Sequence, residues 1–289
     1  MSPYLNSILT LAGINILLAY SFYLPRGVGL LALGQAAFMG IGAYTCTILT
    51  VRYGIGFIPS LIAGGIIATV VGIVTGLAAL RLKGLYLAIL TMAFGEIVRV
   101  IVANTEWLGG VEGIFAIPPH TNLAAIVVAI GILMIFFQRT QNSRPGRTQI
   151  AIRDNEDVAE AFGVNIFREK VIAYGMGSFI AGVAGGFYAH YILYIEPGAF
   201  SFERMVEILM FCVFGGVGVY WGPFFGALTL TLIPEIFRFL SDWRIVFYGA
   251  VLIITMVLRP QGVIDREVIQ KVQGFLFKVF LHKGRIGRR

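Results

Sequence analysis

Glu96 and Arg99, and again Glu235 and Arg238, set a carboxylate and a guanidinium three residues apart inside otherwise apolar runs. On a helix that spacing puts both groups on one face, where they can neutralise each other. Each pair has two readings: a self-neutralised structural pair, or a ligand for an ion or polar solute crossing an apolar medium. Glu207 stands alone at the outer end of a third apolar run and reads as an interfacial residue. The ingredients of bond-making chemistry are missing. There is no H-E-x-x-H, no G-x-S-x-G, no Walker lysine loop and no G-x-G-x-x-G following a strand. His120, His190 and His282 are scattered over a loop, a span end and a tail, which argues against a metal centre or a catalytic triad. Cys46 and Cys212 lie in apolar stretches without a C-x-x-C or companion histidines and read as buried free thiols.

The elements that must hold these residues follow from composition. The chain has 289 residues, 58% of them hydrophobic and only 13% charged, with a mean hydropathy of +0.85. So few polar residues cannot cover a soluble fold, and the class is an all-α integral membrane protein, a polytopic helical bundle. Glycine, at 36 residues, permits close helix contact, and G-x-x-x-G spacings fall at Gly72/Gly76, Gly182/Gly186 and Gly218/Gly222/Gly226. A spanning helix needs roughly 20 mostly apolar residues. Candidate spans are 5–24, 27–49, 57–80, 84–104, 121–138, 171–193, 205–221, 223–240 and 244–258, about nine spanning helices. Nothing before Arg26 is charged, so the first span reads as a retained helix rather than a cleaved signal.

Lys and Arg placement sets the expected orientation. If the spans alternate and the segment 139–170 is cytoplasmic, 17 of the 22 basic residues fall inside and only Arg52, Arg204 and Arg244 outside. That asymmetry puts the N-terminus out and the C-terminus in. The net charge of +7 is thus a matter of topology rather than of nucleic-acid binding. The chain divides into a first membrane half (1–138), a cytoplasmic loop (139–170), a second membrane half (171–260) and a basic tail (261–289). In the tail, Ile264, Val268, Val272, Phe275 and Val279 alternate with Lys and Arg, an amphipathic pattern suited to anionic membrane lipid.

The loop is a charged island in an oily chain, with eleven charged residues from Arg139 to Lys170. Pro145-Gly146 breaks the preceding span, and Gln149 to Arg153 can form a turn or two. Asp154 or Asn155 can cap a second short helix with acidic residues in its first turn, Gly163 suits its stop, and Asn165 can cap the helix that re-enters the membrane. Val158, Ala161, Phe162 and Val164 are more apolar than a solvated linker requires, and Phe162 could serve as a knob for a partner's groove.

A second feature is Gly34-Gln35, which sets a polar amide among glycines at membrane depth, where an unpaired amide is expensive. A glycine-broken helix is tolerated there only against protein or a water-filled path. Gly34, Gln35, Gly40, Gly42 and Tyr44 are therefore candidates for a translocation pathway. In the other reading Gln35 bridges to a neighbouring helix and the glycines pack.

The run Asp157-Val-Ala-Glu-Ala-Phe-Gly163 resembles, in degenerate form, the E-A-A-x-x-x-G coupling motif of ABC importer permeases. Asp157 stands for the glutamate and Val158 for the first alanine, while Ala159 and Gly163 match. The surrounding run from Gly146 to Asn165 looks like the LivM branch, the branched-chain amino acid permeases. Leu33-Gly-Gln-Ala-Ala-Phe-Met-Gly-Ile-Gly-Ala-Tyr44 is similar to that family's second-span signature, Gly215-Gly-Val-Gly-Val-Tyr-Trp-Gly-Pro-Phe-Phe-Gly226 to its G-G-x-G-x-x-W-G-P segment, and Arg259-Pro-Gln-Gly262 to its closing R-P-Q-G.

The resemblance implies a type II-like ABC importer permease in a bacterial inner membrane. Its partners would be a homologous second permease subunit, two cytoplasmic ATPases that hold the ATP and Mg, and an extracytoplasmic solute-binding protein. Asp157, Val158, Ala159, Phe162 and Gly163 would form the ATPase-coupling helix. The chain would make no bond change itself and hold no cofactor or metal. Leucine, isoleucine and valine are the implied cargo, with urea, short amides and other amino acids carried by close relatives. A branched side chain asks for an apolar path, which Phe38, Met39 and Ile41 could line. A secondary transporter is the alternative class; it would need an ion-coupling carboxylate, for which Glu96 is the candidate.

Overall fold

A backbone in lipid must satisfy its own N–H and C=O groups, and helices do so within one segment. The structure, a computed structural model, describes residues 3–236 apart from Lys83 and Asn142, together with Gly249. Its helices are α1 (Pro3–Gly27), α2 (Gln35–Val51), α3 (Phe57–Ala79), α4 (Leu85–Ala103), α5 (Leu123–Gln141), α6 (Arg144–Asp154), α7 (Glu156–Ala161), α8 (Ile166–Ile192), α9 (Phe202–Gly215) and α10 (Gly222–Ile236). The only extended pairing among the described residues is one antiparallel bridge, Ile114 to Ile195, joining two loops at the end of the bundle opposite α6 and α7. The expected ninth span 244–258, the tail 261–289, the Arg259–Gly262 motif, Arg238 and the side chain of Glu235 lie outside the described residues.

Five helices, α1, α3, α4, α5 and α8, are long and apolar enough to cross a membrane. The expected spans need three corrections. Residues 27–49 are not one helix: α1 continues to Gly27, the chain turns at Gly29 (φ +79°), and an irregular stretch leads to a 17-residue α2 that starts only at Gln35. The irregular backbone is held from the side, with Leu33 N donating to Thr91 Oγ1 at 2.8 Å. Residues 205–221 hold a helix of only 14 residues, α9, entered from a 3-10 turn at Pro197–Phe200 that rests on α2. The sixth helix starts at Ile166 rather than 171, so Arg168 and Lys170, counted with the loop, belong to α8. Hydropathy marks where chain is buried in lipid or protein but cannot see where a helix is interrupted.

Stretches before and after the loop interleave rather than forming two bodies. Helix α8 runs against α1, α2 and α3, and α1 also packs on α9 and α10. Small residues set those distances. A Cβ at Gly42 of α2 would collide with the Gly182 backbone of α8, and one at Gly182 would meet Ala68, Gly64 and Gly65 of α3. Three helices thus cross at backbone contact, the arrangement that small-residue spacings allow. Gly222 and Gly226 of α10 pack likewise on Gly215 and Phe211 of α9. The α9–α10 turn returns to the α6 end, where Tyr20 of α1 donates to the Tyr220 carbonyl at 2.7 Å.

Candidate coupling surface and translocation path

The charged island folds as two short helices. Pro145 occupies the first turn of α6, where its missing N–H costs nothing. Gly146 lets that turn lie directly on the Thr140 carbonyl. Asn155 Oδ1 accepts from Val158 N at 3.1 Å and starts α7; Asn165 Oδ1 accepts from Arg168 N at 3.0 Å and starts α8. Between them Gly163 takes φ +81°. Val164 N donates to the Ala159 carbonyl and Gly163 N to that of Glu160, at 3.2 and 2.8 Å, a Schellman stop that favours glycine. Ile152 and Ala159 are buried and fix the pair of helices to the bundle. Lys170 Nζ, almost fully buried, donates to Glu156 Oε1 at 2.7 Å and ties α7 to α8.

Of the five expected coupling residues, Ala159 faces inward, and Asp157, Val158, Phe162 and Gly163 are exposed. Phe162 has 84% of its surface exposed, at the tip of a segment otherwise rich in charge. It is therefore free to enter another protein's groove.

The pathway candidates separate into two groups. Gly42 sits at the α2–α8 crossing, and Gly40 lies under the Phe200 ring, so close packing accounts for both. Gln35 and Tyr44 differ: Gln35 is 1% exposed, yet neither its amide oxygen nor its nitrogen has a partner among the described residues, and the Tyr44 hydroxyl is equally unpartnered. Thr47, one turn further along α2, repeats this. Gly34 lies between them and α4, where a Cβ would come within 3.4 Å of the Thr91 carbonyl and 3.3 Å of the Tyr174 hydroxyl. Buried polar atoms left single are costly; Tyr44 and Thr47 lie one turn apart on one side of α2, whereas Gln35, nine residues before Tyr44, lies on the opposite side.

The Glu96–Arg99 pair closes at 2.7 Å (Nε to Oε2), and Glu96 lines a small cleft with Leu33, Ala36, Met92, Phe200 and Met205 where α9 begins. Glu207 is not alone. Arg204 Nη1 donates to Glu207 Oε2 at 2.7 Å, and its Nη2 donates to Asn15 Oδ1 at 2.8 Å. Asn15 Nδ2 in turn donates to Thr231 Oγ1 at 3.0 Å, and the guanidinium lies 5.7 Å from the Tyr188 ring centre. Arg204, expected on the outer side, instead lies in the first turn of α9. Asn15 is the thirteenth of the 25 residues of α1, about 18 Å from either end at 1.5 Å per residue, so the pair belongs to the middle of the bundle. Sequence reasoning missed this group because its members are 189 and 216 residues apart. The Arg-x-x-Glu spacing and an Asn in the middle of the first span were the available signals.

Two of the histidines, one on a loop and one near the end of α8, meet in space. His120 and His190 stack with ring centres 5.7 Å apart, and His190 reaches Thr50 Oγ1 at 3.0 Å through Nε2 and the Gly186 carbonyl at 3.1 Å through Nδ1. No group of three or more His, Cys, Asp or Glu able to hold a metal occurs among the described residues. In the neighbouring loop Tyr194 donates to Glu196 at 2.9 Å, and that carboxylate pushes the phenol pKa above its ordinary value.

Residues 4–256 match the family model described as branched-chain amino acid transport system / permease component. Among curated proteins the chain is 30% identical to the high-affinity branched-chain amino acid transport system permease protein LivM of Escherichia coli K12, over 89% of this chain and 69% of that one. It is 26% identical to the LivH permease protein of the corresponding Salmonella typhimurium system over 58% of this chain and 56% of that one. It is 24% identical to the fructose import permease protein FrcC of Rhizobium meliloti over 78% and 69%. No solved structure matches significantly. A match over nearly the whole chain, and a fold whose loop and broken second helix fall where the motifs lie, make this chain a member of the branched-chain amino acid transport permease family.

Proposed function

We propose that the chain is a membrane-spanning subunit of an ABC importer that moves branched-chain amino acids by ATP-driven alternating access. The observation that carries the coupling is the α6–α7 unit, a packed and capped lever at one end of the bundle with Phe162 exposed at its tip. Its likeness to the coupling motif supports the reading that α7 seats in a groove of a cytoplasmic ATPase. In this reading the N-terminus is outside, the C-terminus inside, and the membrane is the bacterial inner membrane. A homologous second permease completes the pore, as the names LivM and LivH of its relatives suggest. Two ATPases supply ATP hydrolysis, and an external binding protein delivers solute. Closure of the ATPases moves α7, and Ile152, Ala159 and the Lys170–Glu156 bridge carry that motion into α8, against which α1, α2 and α3 pack. Gln35 and Tyr44 offer hydrogen bonds along the path. The secondary-transporter reading loses its candidate carboxylate, since Glu96 is already neutralised by Arg99.

Purification of the tagged chain from its native membrane in mild detergent tests this. Recovery of an ATPase subunit with the native chain, and its loss with Phe162→Asp at unchanged membrane insertion, is the expected result. A chain that purifies alone yet transports when reconstituted would overturn it.

A further inference from the structure

We infer that Arg204 and Glu207 form a site for the zwitterionic head group of the transported solute. The inference rests on the permease reading above. A guanidinium and a carboxylate near the centre of a membrane bundle are expensive to keep, and such groups are by default functional. Their mutual contact at 2.7 Å leaves the pair electrically neutral. A zwitterion can therefore enter without bringing net charge into the bundle.

The pair is not closed. Arg204 has five N–H donors, of which one goes to Glu207 and one to Asn15. The remaining donors and Glu207 Oε1 have no partner among the described residues. Both side chains keep an accessible edge, 16% for Arg204 and 24% for Glu207. Asn15 of α1 accepts from the guanidinium and is itself anchored by Thr231 of α10, and Tyr188 of α8 backs the guanidinium with its ring. Four helices thus fix one forked donor beside one acceptor. The α-carboxylate would pair with the free edge of the guanidinium and the α-ammonium with Oε1 of Glu207. The aliphatic part would meet Tyr188 and Phe200, whose rings lie 6.3 Å apart. Glu96 and Arg99 do not offer this: they are half-buried on α4 alone, and among the described residues no second helix supplies their guanidinium with a hydrogen-bond partner.

The test uses the reconstituted importer complex in lipid nanodiscs and three probes of one shape. Leucine carries both charges, 4-methylpentanoate only the carboxylate and 3-methylbutylamine only the ammonium. Native protein is expected to prefer leucine over each half-ligand by about tenfold or more, since each charge-assisted hydrogen bond contributes that much. In the double variant Arg204→Gln/Glu207→Gln the three probes should bind within about threefold of one another. A purely structural pair would not alter discrimination between ligand charges, so a preference for leucine that survives the double variant overturns the assignment. Should that variant fail to assemble, the exchanged pair Arg204→Glu/Glu207→Arg decides, because it keeps the internal ion pair but reverses the ligand's ends. Leucine affinity lower by about tenfold or more supports the site. Undiminished affinity, or failure of both variants to assemble, assigns the pair to the fold and overturns it. If ATP drives leucine uptake but the native protein shows no such preference, only this inference fails. If ATP drives no uptake at all, the permease reading itself has failed.

Discussion

Replacing Phe162 by alanine separates docking from folding. Phe162 is 84% exposed and closes α7 only through its backbone N–H, so loss of the ring takes almost nothing from the stability of the chain. If α7 seats in an ATPase, that exposed surface is what becomes buried. Full burial of a phenylalanine side chain contributes about 1.5–3 kcal/mol, so the exposed share corresponds to about 2 kcal/mol. At about 1.4 kcal/mol per factor of ten, the permease–ATPase affinity should fall roughly thirtyfold. The assay is titration of the ATPase subunit onto the permease in nanodiscs, with the thermal midpoint of the permease measured alongside. An unchanged midpoint with weakened association is the expected result. Equal affinity for native and Phe162→Ala proteins would refute the reasoning, and a collapsed midpoint would show that Phe162 is part of the fold.

Three other perturbations address separate parts of the structure. Gln35→Leu removes an unpartnered buried amide worth about 1–3 kcal/mol of penalty; thermal stability should rise while uptake falls, and unchanged uptake would remove Gln35 from the path. Gly42→Val drives a side chain into the Gly182 backbone and should cost about 3 kcal/mol or more, read as lost folded yield. Gly131→Ala on α5, where a Cβ meets nothing within 4 Å, is the harmless control. Lys170→Met breaks the 2.7 Å bridge to Glu156 and should raise hydrogen exchange in α7 by an amount corresponding to about 1–3 kcal/mol, with exchange in α1 and α8 unchanged. Equal protection of α7 in both proteins would show that Ile152 and Ala159 hold the lever alone.

Much of the candidate coupling surface was legible in the chain itself. Asn155, Gly163 and Asn165 act through local geometry, a cap or a left-handed stop, which needs only neighbours in sequence. The apolar residues of the island divided by burial in a way that sequence did not show: Ala159 turned inward and Phe162 outward. The sequence leaves the second and seventh spans open between full and broken helices, for one reason. Hydropathy is the same for a buried helix and for a buried irregular segment, so the irregular stretches 28–34 and 216–221 fell inside expected spans.

The sequence by itself determined the solvent, the helical class and the family, though not where helices are interrupted. Apolar length demands helices in lipid, charge marks the segment that leaves it, and several ordered motifs carry the resemblance. Tertiary structure alone decided which polar groups meet. Arg204, Glu207, Asn15 and Thr231 come from three helices, and Gln35, Tyr44 and Thr47 are unpartnered because of what surrounds α2. The physical reason is that helix formation is local, whereas helix crossing is fixed by glycine contacts such as Gly42 on Gly182, 140 positions away in the chain. That crossing, with α1 threaded against α8, α9 and α10, sets which polar side chains share the middle of the bundle.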